Sequence, residues 1–218
     1  VGRKVELEPA KGYYAGGGGG ARPSAVLDKG TGTKYFLKTA PVSRGGDSML
    51  SAEYEGVKAM SETKTIRVPT PIAHGTWEDS AFVVMEHLDM GKARGSQFET
   101  GVALARMHRC TSENGCFGFH VDNTIGATPQ PNKWEKDWME FWDTHRLGHM
   151  LKLTNNMGYS QEQIQKLRSI TKQCLSHNPQ PSLIHGDLWG GNNGFAEENG
   201  KAVPVIFDPA TYYGDRET

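Results

Sequence analysis

Apolar and polar positions change period several times along the chain, and each change predicts an element. Ala25-Val26-Leu27 and Lys34-Tyr35-Phe36-Leu37-Lys38 read as two short strands joined through a Gly30-Thr31-Gly32 turn. The period then lengthens. Leu50, Tyr54, Val57 and Met60 recur at helical spacing behind Asp47 or Ser48 as a cap. Pro69 and Pro71 interrupt that pattern, and the apolar run Ala81-Phe82-Val83-Val84-Met85-Glu86 follows, as expected of a strand buried on both faces. Beyond it the chain is helix-rich. Residues 97–109 form one amphipathic stretch, and Trp134, Trp138, Phe141, Trp142 and His145 mark a second. Ser160 to Ser176 is a third, opened by a capping box of Ser160 and Gln163. Two further strand-like stretches, Asn193 to Glu197 and Ala202 to Phe207, flank Asn199-Gly200, a pair suited to the positive φ angles of a tight hairpin. No internal repeat or coiled-coil heptad interrupts this order.

The chemistry is concentrated around that hairpin. Asp187 lies in Leu183-Ile184-His185-Gly186-Asp187-Leu188-Trp189-Gly190-Gly191-Asn192, with Asn192 five positions later, and Asp208 closes the apolar run Val205-Ile206-Phe207. Phosphoryl transfer needs such a set: one carboxylate to orient the attacking hydroxyl, and an amide with a second carboxylate to hold magnesium. Magnesium takes hard oxygen donors and few protein carboxylates, which suits Asn192 and Asp208. The hairpin would fold Asp208 back beside Asn192. A loop Asp capping a turn after Gly is the ordinary alternative for Asp187; the three residues at these spacings favour the catalytic base. His185, just before it, reads as a brace for the loop.

Composition bounds the answer without deciding it. The 218 residues suffice for one large domain or two small lobes, and a formal charge of -1 gives no global basic field for nucleic acid. No apolar run reaches 18 residues, and residues 1–12 hold no apolar core of a secretory signal, so neither a spanning helix nor secretion is expected. Cys110, Cys116 and Cys174 are odd in number and lack CxxC spacing, which favours free thiols over zinc.

The order of elements predicts an α+β, protein-kinase-like, two-lobed fold. A β-rich nucleotide-binding lobe would span 1–88 and a helical catalytic lobe with the embedded hairpin 89–218. Four blocks make the likeness narrower: His185 to Asn192, the ending Asp208 to Glu217, Val84-Met85-Glu86-His87, and Gly118 to Gly126 continuing through Pro129-Gln130 to Trp134 and Trp138. Together they resemble the fructosamine-kinase (ketosamine-3-kinase) family, especially its plant-type members, from about residue 16 to 217.

That resemblance implies ATP and Mg²⁺ as cofactors and further roles. Lys38 becomes the phosphate-anchoring lysine and Glu53 its partner, although Glu55 lies close in the helix. Gly18, Gly19 and Gly20, within five consecutive glycines, become the phosphate loop, where missing side chains let backbone N–H groups approach. Glu86, His87 and Leu88 become the adenine hinge, and Trp189 a wall beside the sugar. Ala21-Arg22-Pro23 departs from the family, and Pro23, without an N–H, would remove one phosphate contact. The implied activity is phosphorylation of the 3-hydroxyl of ketosamines (ribulosamines or fructosamines), on glycated proteins or free glycated amines, leading to deglycation. Nucleic acid and membrane are not expected partners, the location is cytoplasmic or plastid, and the oligomeric state is open. The alternatives are another small-molecule kinase of this fold, acting on an aminoglycoside, choline or sugar, and an inactive nucleotide-binding module. The family also implies helices after Glu217. Without them Ile164, Leu167, Ile170 and the Val203 to Phe207 strand would meet water, at about 25 cal/mol per Å², leaving a chain prone to aggregation or inactivity.

Overall fold

A computed structural model describes residues 6–10, 20–90 and 94–218. Gly18 and Gly19 lie outside the described residues. The N-terminal lobe is a five-stranded antiparallel sheet in the order β1 (Leu7–Pro9), β2 (Arg22–Asp28), β3 (Lys34–Pro41), β5 (Ser80–Glu86) and β4 (Pro71–Trp77). A long helix of this lobe, α1 (Gly46–Glu62), packs its Leu50, Val57 and Met60 on Ala81, Val83 and Met85 of β5. The strand expected to be buried on both faces is therefore half-buried. Alternate residues Phe82, Val84 and Glu86 are only partly covered, because α1 covers one side of the sheet.

The start of α1 also differs from expectation. Neither Asp47 nor Ser48 caps it; Gly45 does, at φ 74° in the left-handed region that glycine enters freely. Its N–H closes the preceding 3₁₀ turn onto Val42 O, so the chain must reverse there before a helix can begin. Asp47 sits instead in the first turn, where its charge favours the helix dipole.

The C-terminal lobe follows with α2 (Gln97–Met107), the β6–β7 hairpin (Asn123–Ile125 and Thr128–Gln130), α3 (Trp138–Trp142), α4 (Gly148–Leu153) and α5 (Gln161–Cys174). The tryptophan-rich stretch is not one regular helix. Trp134 precedes it, and a π turn over Asp143–Leu147 separates α3 from α4. Ser160 and Gln163 form the expected capping box. Strand β8 (Ser182–Ile184) pairs with β11 (Tyr212–Gly214), and β9 (Asn193–Glu198) pairs with β10 (Lys201–Ile206). Glu198 stands opposite Lys201, so Asn199-Gly200 is a two-residue turn, with φ of 50° and 74°.

One core joins the lobes: Leu183 and Ile206 from the second lobe pack among Val57, Met60, Val83 and Met85 of the first. A second cluster gathers Phe117, Phe119, Trp138, Phe141, Ile184 and Tyr212. The surface expected to meet water is exposed only in part. Leu167 and Ile170 are 38% and 49% exposed, but Ile164, Val205 and Ile206 are buried, the last two because the β9–β10 hairpin lies against the segment between α1 and β4 at Arg67. Among the described residues no helix is long and apolar enough to cross a membrane.

Candidate active site

Lys38 lies in β3 and is held from two sides. Its Nζ donates to Glu53 Oε1 at 2.7 Å and also to Asp208 Oδ1. Glu53 is the α1 carboxylate turned towards the sheet; Glu55 faces away and meets His120 Nε2 at 3.3 Å, which resolves the choice between them. Burial works against the charge on Lys38, but Glu53 and Asp208 outweigh it and raise its pKa. Burial pushes the Glu53 carboxyl up, with Lys38 opposing.

The loop between β8 and β9 turns tightly. Asp187 accepts from the Trp189 N–H at 3.2 Å, and Trp189 O accepts from the Asn192 N–H at 3.0 Å. Asn192 is buried, and its amide nitrogen donates to Asp187 O (2.9 Å), Asp187 Oδ2 (3.2 Å) and Asp208 O (3.3 Å). That leaves its amide oxygen as the atom of this side chain suited to a cation. Asp187 is pushed above the ordinary aspartate value by burial and then by the charge of Asp208, with Asn192 opposing.

His185 has the geometry of a brace. It is buried, its Nε2 bonds Phe207 O at 3.0 Å, and its Nδ1 accepts the Asp187 N–H at 3.3 Å. Burial lowers its pKa to about 4, so the ring is neutral and spans from β8 to the residue before Asp208. Gly186 beside it has φ 78°, and a Cβ there would lie 2.0 Å from Ala210 O. Only glycine lets the two segments come this close.

Asp208 itself adopts φ 61°, a conformation L-residues rarely hold, directly before Pro209. Buried amides of the β6–β7 hairpin fix the chain just after it. Asn123 Nδ2 donates to Thr211 O at 2.8 Å, and Gln130 Nε2 donates to Asn123 Oδ1 at 2.8 Å and Ala210 O at 3.3 Å. These two positions were visible only inside the Gly118 to Gln130 block; no spacing rule marked them as supports.

The structure thus brings Lys38, Glu53, Asp187, Asn192 and Asp208 together. Asn192 and Asp208 supply the hard oxygen donors a magnesium ion takes, and their chemistry fits that group. The Glu86 N–H donates to Thr70 O at 2.9 Å, so it is not free for adenine, and its carboxylate is engaged by Arg67 and Thr70. His87 and Leu88 follow in the linker. Trp189 is 63% exposed, with its indole against Gly191 in the same loop. Gly20, the described glycine of the loop, has φ 88°. Pro23 lies in β2 opposite Lys38 in the sheet register.

A small antiparallel sheet with one helix, a helical lobe and a hairpin-borne Asp–Asn–Asp set beside a Lys–Glu pair define a protein-kinase-like fold. The family model for fructosamine kinase matches residues 10–218, and the chain belongs to that family. It is 41% identical over 208 residues to a chloroplastic protein-ribulosamine 3-kinase of Oryza sativa subsp. japonica, covering 92% of this chain and 58% of the relative. It is 42% identical over 189 residues to the protein of the same name from Arabidopsis thaliana, covering 84% and 56%. The fold is that of a solved structure named as a fructosamine-3-kinase from Haemophilus somnus, with a TM-score of 0.79 at 27% identity, over 98% of this chain and 69% of that one. The chain spans under three fifths of the length of these curated relatives.

Proposed function

We propose that this chain carries the catalytic centre of an ATP-dependent kinase that phosphorylates the 3-hydroxyl of ketosamines. The observation that carries the reading is the Asn192 amide joining Asp187 to Asp208, with Lys38 bonded to the same Asp208. In this reading Asp187 accepts a hydrogen bond from the sugar hydroxyl and aligns it for in-line attack. Lys38, fixed by Glu53, neutralises phosphate charge, and Asn192 and Asp208 hold the metal. Magnesium, when bound, offsets charge on the transferred phosphoryl group. Most of the rate enhancement comes from positioning, because phosphoryl transfer asks little covalent chemistry of the protein.

The names of the plant relatives support ribulosamines as the substrate class, and the exposed Trp189, two residues after Asp187, offers an aromatic face to a sugar. Phosphate on C3 is a leaving group near the C2 carbonyl. Enolisation towards C1 expels it, and hydrolysis then frees the amine, which is deglycation. ATP consumption on ribulosyl-lysine and fructosyl-lysine, with an aminoglycoside and choline as controls, tests the proposal. Turnover of the ketosamines is expected; turnover of a control alone moves the chain to another small-molecule kinase, and none at all to a nucleotide-binding module.

A further inference from the structure

We propose that Arg67 is a positioning residue that ties the end of β5, at the nucleotide hinge, to the hairpin bearing Asn192 and Asp208, and so sets the spacing of the two sides of the nucleotide site. The role rests on the kinase reading above.

Arg67 lies between α1 and β4 and touches the hairpin twice. Its backbone oxygen accepts the N–H of Ile206, two residues before Asp208, at 3.1 Å, beside a parallel bridge to Val205. Its side chain reaches the other end, where Nε donates to Glu198 Oε1 at 2.6 Å, next to the Asn199-Gly200 turn. The same guanidinium turns its Nη2 to Glu86 Oε1 at 2.5 Å, and its Nη1 donates to Val68 O. Glu86 is independently anchored, because its second oxygen accepts the Thr70 N–H (3.1 Å) and hydroxyl (2.8 Å). One rigid fork therefore spans two carboxylates, one at the end of β5 and one on the hairpin.

Exposed ion pairs contribute little stability on their own, and the Arg67 side chain is 23% exposed. Its value is geometric. Guanidinium donors diverge in a plane, so both carboxylates are held at a fixed separation; a lysine ammonium is a point charge that cannot reproduce the fork. The linkage is ionic. Burial works against the charge on Arg67, but Glu86 and Glu198 outweigh it, and Arg67 with Thr70 holds Glu86 below the ordinary glutamate value despite burial. A second bond, from the Glu197 N–H to Asp89 O at 3.3 Å, joins hinge and hairpin through backbone alone. Side chains enter the linkage at Arg67.

Arg67→Lys, Glu198→Gln and their combination, compared with the unaltered chain, test the role. Expected is a rise in KM for Mg-ATP of about fivefold or more, with KM for ribulosyl-lysine within about twofold and the melting temperature nearly unchanged. Backbone amides of Asn193 to Ile206 should exchange faster. The double variant should be no worse than Arg67→Lys, as expected of residues acting as one unit. An active parent whose variants keep its Mg-ATP parameters and hairpin protection overturns the tie alone. Equal losses for both substrates, in step with lost stability, overturn it in favour of a merely structural contact. A parent inactive on every ketosamine overturns the kinase reading, and the role of Arg67 with it.

Discussion

Lys38 and Asp208 stand 170 positions apart in the chain and meet as an ion pair. The contact joins β3 of the first lobe to the second residue past the β9–β10 hairpin, so the two lobes share one charged centre. Glu53 holds the same ammonium from α1, which leaves Lys38 between two carboxylates. The pair is thus a seam between the lobes.

Asp187→Asn keeps the shape of the loop and removes the charge. Turnover is expected to fall by about 10²–10⁴-fold, the usual contribution of a positioned base, while nucleotide affinity changes little. The base works only when ionised. Because burial and Asp208 push Asp187 upwards, activity of the parent should be lost on acidification through a pKa above the ordinary aspartate value. A pH–rate profile checks this; an acid limb at or below that value contradicts the assignment.

Asp208 separates chemistry from backbone strain. Asp208→Ala and Asp208→Gly should both abolish phosphoryl transfer, since neither offers a carboxylate to the metal. Their stabilities should differ, because alanine at φ 61° bears the left-handed penalty and glycine does not. The glycine variant is expected to be more stable by about 1 kcal/mol, read from chemical denaturation. Equal midpoints would show that the local backbone relaxes in the alanine variant.

His185 predicts a pH dependence of stability. Its pKa is lowered to about 4 in the folded chain against roughly 6.5 unfolded. A depressed value means the unfolded chain takes up the proton first, so the contribution is complete above the unfolded pKa and is lost as pH falls towards 4. The full effect is on the order of 3 kcal/mol. His185→Gln should be less stable at neutral pH and show a flatter melting temperature between pH 6.5 and 4. The same acid slope in parent and variant would assign it to other groups.

Gly186→Ala should be among the most damaging single-methyl additions in the chain. The new Cβ would meet Ala210 O at 2.0 Å at a φ of 78°, so β8 and the segment after Asp208 must part. A loss of about 3 kcal/mol or more is expected from combined overlap and strain. Gly190→Ala, where a Cβ meets nothing within 4 Å, provides the stability control. Similar denaturation midpoints for the two would show that the close approach is not structurally required.

Much of this protein is local in origin and therefore legible in the sequence. The β9–β10 hairpin follows from alternating residues around Asn199-Gly200, and α5 from a helical period behind Ser160, because turn chemistry and side-chain period act over a few residues. The chemical groups at Asp187, Asn192 and Asp208 were likewise evident from type and spacing. Other features depend on residues far apart. The start of α1 at Gly45, the half-burial of β5 and the π turn before α4 arise where packing overrides local preference. The chain after Asp208 is held by the amides of Asn123 and Gln130, and Arg67 meets Glu198 only when the hairpin of the second lobe packs against it, whereas Glu86 comes from its own lobe. The sequence by itself determined the elements and the reactive groups; tertiary structure decided which groups face one another and which arginine spans them. Short-range propensity acts between neighbours in the chain, whereas charge pairing and close packing act between neighbours in space.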